Sequence, residues 1–462
     1  MTSPALIPNT GLTERLARFA ASSIDITDDR IVETVRHGFI DAIGCMAAGS
    51  TEPVVRIVSD FVRARNSHAN DAGMLLGIER AAIADAALVN GTAAHALDYD
   101  DVALGGHPSA VLMPAVLAAG EFLDASGADV IRAYLAGYEV WAELASRESD
   151  AYHEKGWHPT AVLGTVASAA AVCNLYRLPQ KQCSNALALA ASMASGLIAN
   201  FGTMAKPLHA GRAAACGIDA VHLAKAGMAA APDVFEHRVG YLAALSPRGK
   251  ADRSRGVREL GAQFRMLDTG LSIKRYPMCY GAHRVIDGVL DLAAAADVRP
   301  EQVREVRVSI GPAQASMLKN HSAASALEAK FSLEFAVASA LVAGKVGLPE
   351  LSDAFVASQP VQMAMAKVRT EIVDTRCPIE PVFAFSDRVV IDLANGTTLD
   401  SGDIRFARGN ALLPLRPREV ETKFFDCVAY AGLTDARRLF ESLQGLQDLD
   451  SVRRLREAAA TR

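Results

Sequence analysis

Apolar side chains recur at three- and four-residue spacing from Leu12 to about Gly227, as at Ile31, Val35 and Phe39. This spacing places them on one face of a helix, so it predicts a largely helical first half of the chain. Long alanine-rich helices are predicted at 112–124, 160–175, 184–198 and 211–227. Because small side chains let helices approach closely, we expect these helices to pack as a bundle.

The pattern changes near residue 270. Residues 303–310 largely alternate apolar and polar side chains, which predicts a strand, and 388–399 predict a hairpin that turns at Asn395-Gly396. Residues 371–377 form a further candidate strand, and helices are predicted at 284–296, 333–343, 348–357, 418–441 and 448–460. The predicted fold class is mainly α, with a large all-helical domain in two pieces, 1–270 and 406–462. A smaller α+β domain, 271–405, is inserted between them.

Composition adds constraints without pointing to an activity. Half of the 462 residues are hydrophobic and 21% are charged, and the net charge of −5 gives no sign of the clustered basic face that nucleic acid binding needs. The apolar stretch 186–201 is too short and too rich in small residues to span a membrane, so we predict a buried helix there. We expect neither a nucleic acid partner nor a membrane span.

The cysteines and the N-terminal segment indicate in which cellular compartment the protein is expected. The seven cysteines are widely scattered and never spaced as CxxC, which argues against a zinc ribbon, an iron–sulfur cluster or a thioredoxin-like site. Reduced, mostly buried thiols are favoured instead. The first twenty residues lack the charged start and apolar core of a secretory signal. We therefore expect a cytoplasmic protein.

Residues 90–109, NGTAAHALDYDDVALGGHPS, carry the densest group of polar side chains in the chain. His95 and His107 bracket Asp98, Asp100 and Asp101. Such a cluster is a metal site, an acid/base site or a helix end. If one helix continues through it, His95, Asp98 and Asp101 stack along one face. The oxygen ligands are fewer and less regular than those of a calcium loop, so we rank acid/base chemistry above metal binding.

A further histidine stands at a predicted helix start. His158 directly precedes Pro159, and proline is well tolerated in the first turn of a helix. The N-terminal end of a helix favours an anion, which makes His158 a candidate site residue. The alternative is a structural histidine that packs against Trp157.

Three cationic or potentially cationic side chains lie within seven residues in the segment FGTMAKPLHAGR. Lys206, His209 and Arg212 precede an alanine-rich helix in otherwise apolar surroundings. This grouping suits a multiply charged anion, and a solvated basic loop is the alternative. We favour the anion site because the flanking helices are apolar.

The segment KRYPMCYGAHR at 274–284 lies at the predicted domain junction, where ligand sites commonly form. Its candidate site residues are Tyr276, Cys279, Tyr280 and His283, with Cys279 favoured as a small buried side chain rather than a nucleophile. There is no GxxxxGK[ST] loop, no GxGxxG after a strand and no GxSxG elbow, which disfavours ATP, dinucleotides and serine-hydrolase chemistry. The remaining polar inventory suits proton transfer at a carbon next to a carboxylate, with cations neutralising the enediolate.

Together these segments resemble the MmgE/PrpD family. The resemblance is carried by HALDYDD with GHPS, GWHPTAVLGTVASAAA, FGTMAKPLHAGRAA, KRYPMCYGAH and EAKFSLEFAVA, in the family's order and spacing from about residue 10 to 345. It implies a large all-helical domain with a smaller α+β lid, a homodimer, and an active site between the domains that uses no metal or organic cofactor. The catalytic residues it implies are Asp98, His107, His158 and Lys206, and it implies His283 as a further site residue from the lid, which we assign to substrate binding. We add His209, Arg212 and Tyr280 as substrate-binding residues.

The family includes 2-methylcitrate dehydratase, cis-aconitate decarboxylase and iminodisuccinate epimerase. Compared with the decarboxylase pattern, this chain has Val102 in place of a threonine and Phe335 in place of a functional tyrosine. We therefore rank first a cofactor-independent dehydratase of a hydroxylated di- or tricarboxylate such as 2-methylcitrate. An epimerase of an aminated dicarboxylate such as iminodisuccinate is the alternative. A cis-aconitate decarboxylase and a metal-dependent hydrolase built on the aspartates rank lower, and a non-catalytic binding protein ranks last.

Overall fold

The computed structural model describes residues 11–65, 69–256, 260–380 and 382–459. The chain divides into two compact units. Unit 1 comprises Met1–Ala96, Ala103–Leu271 and Phe424–Arg462, and unit 2 comprises Leu97–Val102 and Ser272–Lys423. The first ten residues, on which part of the secretory-signal prediction rests, lie outside the described residues. The domain boundaries given above stay predictions.

Helices dominate the described residues, which confirms the predicted fold class. In chain order they are α1 (Leu12–Ala20), α2 (Asp29–Gly49), α3 (Pro53–Arg65), α4 (Ile83–His95), α5 (Pro108–Leu123), α6 (Gly127–Ala145), α7 (Pro159–Leu175), α8 (Gln180–Met193), α9 (Ala205–Lys225), α10 (Tyr241–Leu245), α11 (Arg265–Thr269), α12 (His283–Ala296), α13 (Pro312–Met317), α14 (Ala326–Ala329), α15 (Leu333–Ala343), α16 (Asp353–Val356), α17 (Gln359–Met365), α18 (Pro417–Tyr430), α19 (Arg437–Gln444) and α20 (Arg453–Ala459). The strands are β1 (Ala72–Gly73), β2 (Arg80–Ala81), β3 (Val303–Ile310), β4 (Val368–Ile372), β5 (Arg388–Leu393) and β6 (Thr398–Asp400).

Four helices form the centre of unit 1. Helix α4 packs against α5 and α9, and α7 packs against α5, α6 and α9. Every residue of α7 is buried, as its near-continuous alanine and valine sequence predicts for a helix with no solvent face. The alanine-rich helices predicted near 112–124, 160–175 and 211–227 are thus confirmed as a packed group.

The predicted buried helix at 186–201 is wrong in its second half. Helix α8 ends at Met193, and the chain then runs beside residues 156–158. The His158 backbone N–H donates to the Gly196 carbonyl (3.0 Å), and the Ile198 N–H donates to the Gly156 carbonyl (3.0 Å). These bonds replace the helical ones, because Gly196 adopts φ +139°, which L side chains rarely adopt.

Unit 2 contains a four-stranded sheet in the order β4-β3-β5-β6. Strands β3 and β4 are parallel, whereas β3/β5 and β5/β6 are antiparallel. Helix α12 packs on β5 and on α15. The strand predicted at 303–310 and the hairpin that turns at Asn395-Gly396 are confirmed, and Gly396 has the positive φ that this turn requires.

Three other predicted elements differ from the structure. The strand expected at 371–377 is Val368–Ile372, because its parallel partner β3 ends at Ile310. The helix expected at 348–357 is only Asp353–Val356, which begins where the Ser352 side chain accepts from the Phe355 N–H. The helix expected at 418–441 is two helices, α18 and α19, separated by a turn at Ala431-Gly432.

All seven cysteines are buried and none forms a disulfide, as predicted. Among the described residues, no helix combines the length and the apolar character that crossing a membrane requires. Both results agree with the constraints drawn from composition.

Candidate active site

Two histidines occupy the same local position at the starts of two long helices. His158 precedes Pro159, the first residue of α7, as predicted. His107 precedes Pro108, the first residue of α5, which begins four residues before the predicted helix at 112–124. Proline suits this position because its φ is already helical and its missing N–H would have no intrahelical partner. The N-terminal end of each helix carries partial positive charge. Both histidines therefore lie where an anion is favoured.

The starts of α5 and α7 lie against each other, with His95 beside both histidines. A Cβ atom added at Gly106 would lie 3.0 Å from the Thr160 backbone nitrogen, so only glycine allows this approach. His95 is the last residue of α4. The centroid of its ring lies 4.4 Å from that of His107 and 5.9 Å from that of His158.

The start of α9 adds a cation and a further imidazole. Lys206 is buried in the first turn of α9, and its Nζ lies 5.3 Å from the centroid of the Phe201 ring. Nδ1 of His209 lies 3.2 Å from Nδ1 of His158. The edge of Phe201 packs against His158, with centroids 4.8 Å apart. We call His95, His107, His158, His209 and Lys206 the histidine cluster.

Close backbone contact between α4 and α9 holds the cluster together. A Cβ atom added at Gly91 would lie 2.8 Å from the Gly211 Cα, and one added at Gly211 would lie 2.1 Å from the Leu88 carbonyl oxygen. Only glycine, which has no Cβ atom, lets the backbones of α4 and α9 approach this closely. The contact lies about one turn from His95 on α4, and within about one turn of His209 on α9.

Burial and the Lys206 charge favour the neutral form of His158 and His209. The pKa of His158 lies well below its usual 6.5, first because of burial and then because of Lys206. The same two causes lower the pKa of His209, and they lower that of nearby His153 to about 4. At neutral pH these imidazoles are therefore proton acceptors beside an ammonium group.

Not every residue predicted from the 201–212 segment joins the cluster. Arg212 is exposed; burial raises the pKa values of Cys216 and Asp219 further along α9, and the Arg212 charge offsets part of that rise. Conversely, His153 and Phe201 were not predicted, although their rings lie 6.1 Å apart next to the cluster. Their positions depend on contacts between distant segments, so no local pattern indicates them.

Unit 2 contains the predicted site residue Asp98. Nζ of Lys274 donates to Asp98 Oδ1 (2.9 Å) and to the Asp98 carbonyl (2.6 Å), and both side chains are buried. The predicted helical stack of His95, Asp98 and Asp101 is wrong, because α4 ends at His95 and Asp98 has φ +52°. Lys274 was missed, although it opens the KRYPMCYGAHR segment.

The other predicted residues of unit 2 form an aromatic group. His283 begins α12, and its ring lies 5.1 Å from that of Tyr280 and 5.2 Å from that of Tyr276. Burial, followed by the charge of Lys274, lowers the pKa of His283 to about 3. The Tyr280 hydroxyl accepts from Asn410 Nδ2 (2.9 Å). His283 is therefore neutral in the folded protein.

Comparison with known proteins identifies the family. The model of the MmgE/PrpD N-terminal domain matches residues 14–254, and that of the MmgE/PrpD C-terminal domain matches residues 276–448. The chain belongs to the MmgE/PrpD family. Cis-aconitate decarboxylase of Homo sapiens is 28% identical over 442 residues, which cover 91% of this chain and 89% of that protein. The enzyme of the same name from Mus musculus is 27% identical over 86% of this chain and 82% of its own length, and that from Aspergillus terreus is 28% identical over 61% and 60%.

These MmgE/PrpD relatives correct the predicted activity. They are decarboxylases, a class of lyase, so lyase-type chemistry is supported, but ranking 2-methylcitrate dehydratase above cis-aconitate decarboxylase was wrong. That ranking relied on Val102 and Phe335. Phe335 is fully buried with its ring 6.3 Å from that of Phe355, and the Val102 backbone pairs with that of Ser272 (2.9 Å in each direction). Packing accounts for an apolar residue at 335, whereas backbone pairing at 102 does not depend on which side chain is present.

Proposed function

We propose that this protein is a decarboxylase of a small polycarboxylate, with cis-aconitate as the first substrate to test. The observation that carries the proposal is the histidine cluster, in a chain that is 28% identical over 91% of its length to a cis-aconitate decarboxylase. The proposed catalytic residues are His107, His158 and Lys206 in unit 1 and Asp98 in unit 2. His209, Arg212, Tyr280 and His283 are the proposed substrate-binding residues. A homodimer and a cytoplasmic location stay predictions.

The chemistry of the cluster suits loss of carbon dioxide from a polyanion. The bond between carbon and the departing carboxylate breaks, carbon dioxide leaves, and the electron pair that remains on the substrate must be stabilised and then protonated. Lys206 and the starts of α5, α7 and α9 provide the positive potential for the anion. An imidazole of the cluster supplies the proton, a step that typically contributes about 10²- to 10⁴-fold in rate.

Substrate binding itself favours protonation of His158, the proposed general acid. Lys206 lowers the pKa of His158 while no anion is bound. A substrate carboxylate beside Lys206 neutralises that effect, and an opposite charge close to an imidazole favours its protonated form. Substrate binding therefore raises the proton affinity of His158, although burial, the larger cause of its lowered pKa, remains.

The test is release of carbon dioxide from cis-aconitate by the purified full-length protein, with the product identified by NMR. His158→Asn is expected to lower turnover by about 100-fold or more. His222→Asn is the matched control, because His222 lies on α9 and pairs with Tyr176 outside the cluster. Absence of carbon dioxide release by the wild type, with cis-aconitate and with related tricarboxylates, would refute the proposal. Full activity of His158→Asn would remove His158 from the mechanism.

A further inference from the structure

We propose that His209 is a positioning residue for His158, and that the two imidazoles relay a proton from solvent towards the substrate. The relay rests on the decarboxylase proposed above, because that reaction consumes one proton for each molecule of carbon dioxide released. Above, His209 was assigned only to substrate binding. Its contact with His158 gives it a second role that no local motif indicates.

The contact between the two rings requires a shared proton. Their Nδ1 atoms lie 3.2 Å apart. A neutral imidazole carries one N–H, so one Nδ1 donates and the other accepts. When His158 donates, its Nε2 has a bare lone pair. When His209 donates, Nε2 of His158 carries the hydrogen.

The surrounding chain holds the two rings in this contact. The His158 backbone N–H is bonded to the Gly196 carbonyl (3.0 Å). A Cβ atom added at Gly196 would lie 3.3 Å from Cγ of His209 and 2.7 Å from the Ala161 Cβ. The edge of the Phe201 ring also packs against the His158 ring, with centroids 4.8 Å apart. Residues 196–201 thus pack against both imidazoles.

Solvent reaches the two rings unequally. His158 is 2% exposed, whereas His209 is half-buried. In one turnover, a solvent proton adds to Nε2 of His209 and the Nδ1 hydrogen of His209 passes to Nδ1 of His158. The Nε2 hydrogen of His158 then passes to the carbon that has lost carbon dioxide. One proton enters and one is consumed, and both rings end in the opposite tautomer. After the product leaves, water returns a proton to Nε2 of His158, the Nδ1 hydrogen of His158 passes back to Nδ1 of His209 and the Nε2 hydrogen of His209 returns to solvent, so the pair is restored.

The charges that face the pair favour this relay. The groups that act on His158 are Lys206 and His209 of α9, His95 of α4 and His107 before α5, and Lys206 also acts on His209. Lys206 and burial lower the pKa of both members of the pair, so neither holds a spare proton at neutral pH. The proton must therefore come from solvent through the half-buried member.

The kinetic test compares His209→Asn and His209→Ala with the control His222→Asn. Asparagine places a polar group near the position of Nδ1 but cannot pass a proton on. We expect both His209 variants to lose about 10- to 100-fold in kcat, since general acid supply acts on the chemical step; loss of the proposed substrate contact of His209 would appear separately, as a rise in KM. The solvent isotope effect on kcat should rise in His209→Asn, and added imidazole should restore activity in His209→Ala. A His209→Asn enzyme with wild-type kcat, isotope effect and pH profile would overturn the relay.

A second measurement does not depend on turnover. In wild-type protein labelled with ¹⁵N-histidine, we expect one of the two Nδ1 atoms to be protonated and the other bare, and His209→Asn to change the tautomer or titration of His158. Two Nε2–H tautomers that titrate independently would refute the shared proton. If the wild type releases no carbon dioxide but the tautomers are coupled, the proposed function fails and the pairing of His209 with His158 stands.

Discussion

Gly211→Ala is expected to destabilise the protein, although alanine is the better helix former. Gly211 lies within α9 and faces α4. A Cβ atom there would lie 2.1 Å from the Leu88 carbonyl oxygen and 2.5 Å from Thr92 Oγ1, whereas ordinary contact begins at 3.4 Å. Because the nearest atom belongs to the backbone, it cannot rotate away. The two helices must therefore separate by about 1.3 Å.

Two opposing effects set the magnitude. Replacing glycine by alanine inside a helix stabilises it by about 1 kcal/mol. Forcing an extra methyl group into a close-packed contact costs about 1–3 kcal/mol, and more where the backbone has to move. Because the contact at Gly211 is short and involves the backbone, we expect a cost near the upper end of this range. The net loss in the free energy of unfolding is then about 2 kcal/mol.

Thermal unfolding measures the expected loss of stability in Gly211→Ala, and turnover measures the expected displacement of the histidine cluster. Unit 1, comprising Met1–Ala96, Ala103–Leu271 and Phe424–Arg462, is larger than most single domains. With an unfolding entropy of about 2.1 cal/mol/K per residue, a loss of 2 kcal/mol lowers its Tm by about 3 °C. Separation of α4 from α9 also moves His95 relative to Lys206 and His209, and a displacement of about 1 Å can cost about 100-fold in rate. Gly445→Ala is the control, because its added Cβ would meet only the Glu441 carbonyl, at 3.7 Å. A Gly211→Ala protein as stable as wild type would refute the backbone contact between α4 and α9.

Three further predictions concern charge and cofactors. Lys206→Met should raise the pKa of His158 and of His209, because the Lys206 charge lowers both; unchanged histidine titrations by NMR would contradict this. The pKa of His283 is about 3 in the folded protein and 6.5 is its usual value, so the unfolded chain binds the proton first and stability should fall as the pH drops below 6.5. His283→Gln should therefore make Tm depend less on pH between 6.5 and 4. A variant whose Tm falls as steeply as that of the wild type over this range would contradict the prediction. Treatment with a chelator should leave carbon dioxide release unchanged, and a loss that one added metal restores would establish a metal site.

The parts of the fold that the sequence predicted best are those whose signals are local. The alternation at 303–310 and the Asn395-Gly396 turn lie within one strand or hairpin, and the structure reproduces both. The helix start at His158-Pro159 is also set by adjacent residues. By contrast, α8 ends at Met193 because residues that follow it pair with 156–158, a contact that periodicity cannot indicate.

In the candidate site too, features set by adjacent residues were easier to predict than contacts between distant segments. The helix start at His158-Pro159 was predicted, because proline is favoured in the first turn of a helix. The same signal at His107-Pro108 was missed, and that helix was placed at 112–124. The 3.2 Å contact between His158 and His209 joins residues 51 positions apart, so it depends on how α7 and α9 pack. Asp98 was placed on a helix with His95 because the two residues are three apart, yet its buried bond to Lys274 spans 176 positions.

The electrostatics of the cluster suit a reaction that takes up a proton. Dehydration needs an acid and a base but consumes no proton, whereas decarboxylation ends with one more proton on carbon. In the empty protein, burial and Lys206 keep His158 neutral. A polyanion that cancels the Lys206 charge raises the proton affinity of His158 at the moment when the reaction needs an acid. Proton uptake is then coupled to substrate binding, and the half-buried His209 provides the connection to water.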